Sequence, residues 1–368
     1  MQRLLDDLFP GVDIPNAITL KYHYDEKITA AGLSYHGFLL ALGFEFGKIL
    51  IVDSIGGYTI RKISGHTSII KALAFSRDTR SLISGDIEGN IIVHDLSVYP
   101  PNPIFTTKFD RIKKIAPNLS DPDHFAVLTK TNSLFHIILS SKTVAQISGS
   151  FHAMCWPEGF PYIISGEHRN LFFLDPDNNV ISETLNSVLP KSYLTRLESN
   201  LSGKKILIFD FSGHVRIFDL ETKHCTNNLF DHLEKTRWRF GSFLPSGLHV
   251  IVGLRNLRKP NYLAVDSDQG SVVYEYKEND IYPSQMLLTL KVHPIRPIIF
   301  AIYDKGVHIV SVKSKIRSLN MIPKGIQNIS TNVKTIDLIS KQEFYYFPSD
   351  KKFPNQFYRL PYVDPELE

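Results

Sequence analysis

The chain has 368 residues, 43% of them hydrophobic, and a formal net charge of +4. That is enough chain for one large all-β domain or two ordinary ones, and no apolar run approaches the roughly 20 residues of a membrane-spanning helix. So small a charge permits an acidic partner without demanding one, and the 2 cysteines, Cys155 and Cys225, are too far apart for a disulfide framework or a metal box, which fits a reducing compartment.

The start, Met1-Gln2-Arg3-Leu4-Leu5-Asp6-Asp7-Leu8, is acidic too early for a secretory signal, so an intracellular chain is expected. From there strands dominate, as 24 Phe and 16 Tyr against 2 Trp favour. Ile18 to Tyr22 reads as an isolated strand. A first unit holds Phe38-Leu39-Leu40-Ala41-Leu42-Gly43, a turn at Gly47, and Ile49-Leu50-Ile51-Val52-Asp53. The clearest unit runs from Gly65 to Leu96. Gly65-His66 opens it, Ile70 to Phe75 alternates as a strand, and Ser76 to Thr79 turns. Ser81-Leu82-Ile83-Ser84-Gly85 is a second strand, and Glu88-Gly89-Asn90 turns into Ile91-Ile92-Val93-His94-Asp95.

Later units share this frame with looser spelling. They contain Phe125 to Leu128 with Leu134 to Ile138, Tyr162 to Gly166 with Leu171 to Asp175, and Lys205 to Phe209 with Val215 to Asp219. Two more contain His249 to Gly253 with Val272 to Tyr276, and Leu287 to Val312. Asp53 to Asp95 and Asp175 to Asp219 each span roughly 40 residues, the period of a WD40 blade. The fold class predicted is therefore all-β: a seven-bladed WD40 β-propeller with a short extended C-terminal tail. A four-stranded sheet cannot bury both faces alone, so blades pack radially and share apolar faces. The predicted boundaries are an N-terminal segment at 1–17, the propeller at 18–321 and the tail at 322–368. Either Ile18 to Tyr22 or Ile316 to Met321 should complete a blade begun at the other end. Within the clearest blade, His66, Ser84 and the turn acid Glu88 are expected to form a buried polar lock. His94 stands where this pattern usually has Trp, which should leave the lock incomplete.

The chain resembles the retinoblastoma-binding protein 5 family, the propeller subunit of COMPASS/MLL histone H3 lysine-4 methyltransferases. The resemblance rests on the short leucine-rich start and on Gly37 to Gly43 with Gly47-Lys48-Ile49. It also rests on Lys235-Thr236-Arg237-Trp238 with Phe243 to Gly253, on His293-Pro294-Ile295-Arg296-Pro297 with Ile298-Ile299, and on Leu360 to Glu368. It implies a non-catalytic nuclear scaffold. The implied partners are a SET-domain methyltransferase subunit, a SPRY-domain subunit and a second WD40 subunit, with weak contact to nucleosomal DNA and histone.

On that resemblance, the basic rim facing the nucleosome would include Lys223, Lys235, Arg255 and Arg296. Such contacts neutralise phosphate without reading sequence. The bland alternative is solvated surface charge. In the tail, Val333 to Ser340 alternates apolar and polar residues. One alignment makes Ile336, Asp337 and Leu338 a clip for the second WD40 subunit. Another takes Asn332-Val333 with Glu343-Phe344 as the segment contacting the SET and SPRY subunits. The family's acidic run is absent, and Lys341, Lys351 and Lys352 occupy the region.

Nothing in the sequence has the spacing of catalytic, cofactor or metal-binding residues, so none is predicted, and no membrane or small-molecule substrate is expected. Two alternatives stay open: a generic WD40 adaptor, for example in RNA processing or a ubiquitin ligase, and a propeller enzyme using acids around its channel.

Overall fold

The computed structural model describes residues 14–167, 170–178, 180–185, 193–229, 238–254, 262–276 and 286–312. They form seven antiparallel four-stranded sheets. The innermost strands, in blade order, are Ile28–Leu33, Ile70–Phe75, Ile112–Pro117, Ala153–Cys155, Leu194–Ser199, Trp238–Phe243 and Leu287–Val292. Each touches the next, and the seventh touches the first, so the ring is closed.

Closure comes from the N-terminal side. Ala17–His23 pairs antiparallel with Gly306–Ser311 and supplies the outermost strand of blade seven. Tyr22 Oη donates to the Ile55 carbonyl in blade one, tying the closing strand across the seam. Tyr276 and Tyr274 of blade six donate to the carbonyls of Pro15 and Asn16, so the chain engages the propeller just before this strand begins. Of the two closing strands open to the sequence, Ile18 to Tyr22 does the work. Ile316 to Met321 and the whole tail lie outside the described residues.

The core is divided into seven apolar clusters, each held between two adjacent blades. Leu39, Ala41 and Ile51 of blade one, for example, pack with Ile70, Leu73 and Leu82 of blade two. Strands such as Leu39–Phe44 and Ile299–Tyr303 are buried at every position because both faces are covered. This is why they read as unbroken apolar runs rather than as alternation. The outermost strands, such as Val272–Tyr276, are largely exposed.

One irregularity repeats. Six of the seven innermost strands carry a bulge near their start, at Thr29, Lys71, Lys113, Thr195, Arg239 and Leu288. A bulge inserts one residue and re-aims a side chain. Here five of those six side chains line the central channel at one mouth.

Candidate functional site

The polar lock of blade two is present, with a different acid. His66 Nδ1 lies 3.0 Å from Asp86 Oδ2, and Nε2 lies 2.8 Å from Ser84 Oγ. Asp86 also accepts the backbone N–H groups of Glu88 (3.0 Å) and Asn90 (2.9 Å), and the Asn90 side-chain amide (2.8 Å). Glu88, the acid expected from the sequence, is exposed and gives only its backbone N–H. The reason is periodicity: Ser84 and Asp86 stand two apart on the strand Ser81–Asp86 and share its inward face, whereas Glu88 is already in the turn. Burial pushes the Asp86 carboxyl up, but hydrogen bonds from Asn90 and His66 outweigh it and hold its pKa below the usual carboxylate value. His94 is buried, and its Nδ1 has no hydrogen-bond partner among the described residues. Burial, helped by the nearby His66, lowers its pKa to about 4. The lock runs without a fourth member.

The His-Pro-Ile-Arg turn of blade seven is a structural device. His293 is buried, and its Nδ1 accepts the backbone N–H groups of Ile295 (3.2 Å) and Arg296 (3.1 Å). Burial, then the Arg296 charge, pushes its pKa down to about 3, so the ring is neutral at physiological pH and free to accept. Its other edge faces Gly37 in blade one, where φ is 82° and an added Cβ would stand 2.6 Å from His293 Nε2. Gly37→Ala combines strain with this clash and is expected to lower the unfolding free energy by about 2 kcal/mol. Urea unfolding checks it; a loss under about 0.5 kcal/mol would mean that the seam is loose.

Arg296 sits in the turn after Leu287–Val292, and Lys223 in the turn before His224–Asn228. Both turns lie at the end of the sheets opposite the bulges, on blades seven and five, which are not neighbours. The structure does not bring the two together. Lys223 Nζ is also 2.6 Å from both carboxylate oxygens of Glu183 in blade four, with both partners well exposed. Such a pair adds at most about 1 kcal/mol, but it occupies the cation. Lys235 and Arg255 lie outside the described residues, as do Val333, Ile336, Asp337, Leu338, Glu343 and Phe344.

The channel waist holds a constellation that sequence reading missed. Glu198 Oε1 is 2.7 Å from Arg196 Nε and 3.1 Å from Lys114 Nζ. Lys114 also donates to the Leu197 carbonyl (2.7 Å), and Arg196 to Thr289 Oγ1 (3.3 Å). Lys291 stands beside them without a hydrogen-bond or ion-pair partner among the described residues. Burial pushes Lys291 down to about 8, against the pull of Glu198. Burial alone would raise the Glu198 pKa, but Lys114, Arg196 and Lys291 hold it well below the carboxylate range. Glu198 is the one carboxylate lining the channel among the described residues, and two cations neutralise it. Cations outnumber the carboxylate at the waist, and no second carboxylate stands beside it among the described residues. Of the cysteines, Cys155 is buried, and burial raises its thiol to about 12.

Comparison with known proteins follows the same frame. No family model matches the chain. It is 21% identical over 345 residues to the retinoblastoma-binding-like protein E of Dictyostelium discoideum, covering 83% of this chain and 64% of that one. It is 20% identical over 320 residues to the retinoblastoma-binding protein 5 homologue of Drosophila melanogaster, covering 81% and 63%. Over more than four fifths of its length the chain is similar to retinoblastoma-binding protein 5 homologues, at about one residue in five. It spans just under two thirds of the length of these two relatives. Its fold matches the crystal structure of the Cps50 (Swd1) β-propeller domain from Myceliophthora thermophila. The TM-score is 0.71 at 18% identity, over 81% of this chain and all of that domain.

Proposed function

We propose that this chain is a non-catalytic nuclear scaffold subunit of a histone H3 lysine-4 methyltransferase complex of the COMPASS/MLL type. It binds a SET-domain subunit, a SPRY-domain subunit and a second WD40 subunit, and helps to seat the complex on the nucleosome. The observation that carries this reading is similarity to retinoblastoma-binding protein 5 homologues over about four fifths of the chain, more than any one generic blade supplies. The tail supplies the clip, through Ile336 to Leu338 or through Val333 with Glu343 and Phe344. The rim contact rests on Arg296, with Lys235 and Arg255; Lys223 contributes least, because Glu183 holds it.

Affinity purification of the chain from its own cells tests the reading, with and without residues 322 to 368. Methyltransferase subunits should co-purify with the full chain, and the second WD40 subunit should be lost on truncation. Absence of methyltransferase subunits from both samples would leave a generic WD40 adaptor. For the rim, Arg296→Glu should flatten the slope of log affinity for nucleosomes against log salt by about 0.9 per lost phosphate contact. An unchanged slope removes Arg296 from the interface.

A further inference from the structure

A cavity of about 280 Å³ fills the half of the central channel on the bulge side. Five cationic side chains line it, Lys71, Lys113, Lys114, Arg196 and Lys291, against the single carboxylate of Glu198. They come from four different blades and form two levels. The bulges set Lys71 and Lys113 at the mouth, while Lys114 and Lys291 lie deeper, where the same side chains also line the cavity of the opposite half.

Four of the five, Lys113, Lys114, Arg196 and Lys291, have donors left over among the described residues. Lys114 Nζ spends two of its three protons, on Leu197 and Glu198. Lys113 Nζ spends one, on the His152 carbonyl at 2.6 Å. Arg196 spends Nε–H and one Nη2 proton. Lys291 spends none among the described residues. A low-dielectric well that concentrates like charge in this way attracts anions strongly.

The opposite mouth is crossed by a bridge. Tyr35 Oη of blade one donates to Glu158 of blade four at 2.6 Å, and Arg77 of blade two lies 3.5 Å from the same oxygen. A threaded peptide would have to break it, whereas a compact ligand entering from the bulge side would not. Charge balance also selects the ligand. One carboxylate would leave most of the excess positive charge in place, whereas two or more phosphate groups would match it and accept several N–H donors each.

We propose that the central channel binds a compact anion bearing two or more phosphate groups, entered from the bulge side and held by Lys71, Lys113, Lys114, Arg196 and Lys291. This site is independent of the scaffold reading and of the nucleosome rim.

Calorimetric titration of the full chain with inorganic tripolyphosphate, ATP and inositol hexakisphosphate tests it, with Lys291→Met and, at an exposed outer strand, Lys62→Met as variants of equal charge loss. Tripolyphosphate should bind below about 1 mM at physiological salt, about tenfold more weakly to Lys291→Met and unchanged to Lys62→Met. Tighter binding of ATP or of inositol hexakisphosphate assigns a nucleotide or a phosphorylated polyol as the source. If circular dichroism shows Lys291→Met unfolded, Lys71→Met at the mouth replaces it with the same expected loss. The proposal is overturned if the parent binds no phosphate compound, or if channel and surface variants lose affinity equally. It also fails if a short poly-glutamate peptide binds as tightly as tripolyphosphate.

Discussion

Asp86→Ala should destabilise this propeller by about 3–5 kcal/mol, while Glu88→Ala, two residues on, should change its stability by less than about 0.5 kcal/mol. The contrast follows from donor accounting. Removing the Asp86 carboxylate strands four donors: the His66 ring N–H, two backbone N–H groups and the Asn90 amide. Each buried donor left unpaired costs its own desolvation penalty. Glu88 loses nothing but an exposed side chain. Urea unfolding of the two variants decides, and equal losses would mean that the turn acid carries the lock after all. A pH arm sharpens the test. Because the folded-state pKa of Asp86 lies below its unfolded value, its contribution is complete above about pH 4 and is lost as pH falls toward the folded value. The parent should therefore lose more stability than Asp86→Asn on acidification.

Legibility followed local order. The seven frames were readable because strands such as Leu39–Phe44 are covered on both faces and their turns carry Gly at positive φ, as at Gly47 and Gly89. Both signals are local. The lock was half readable: His66 and Ser84 fit the blade pattern, but two acids compete in Asp86-Ile87-Glu88-Gly89. The deciding signal was the two-residue period that places Ser84 and Asp86 on one face. The channel cluster was unreadable in linear order, because Lys114 and Glu198 are separated by 84 residues and meet only when the ring closes. Superposing the innermost strands would have found it, since Glu198 and Lys291 occupy equivalent positions, four after Leu194 and four after Leu287, where the bulges begin. Lys223 and Arg296 both lie at the end of the sheets away from the bulges, on blades five and seven, a placement that linear order alone does not give.

Glu198→Gln is the second large effect expected, a loss of about 2–3 kcal/mol, toward the low end for a broken buried ion pair because the site keeps some solvent access. The carboxylate is the sole negative charge among three cations, so its removal leaves Lys114, Arg196 and Lys291 repelling one another across the waist. Burial pushes the pKa of Lys291 down to about 8, and Glu198 is what keeps it from falling further. Two consequences separate this account from simple loss of packing. First, Lys291→Met in the Glu198→Gln background should recover part of the loss, so the double variant is more stable than Glu198→Gln alone. Second, because the folded-state pKa of Lys291 is lowered, the parent should gain stability relative to Lys291→Met as pH rises from about 8 toward the unfolded value of about 10.4. Thermal and urea unfolding between neutral and alkaline pH measure both. Additive losses in the double variant, together with a flat difference across that pH range, would show that the waist is held by packing and that its charges are bystanders.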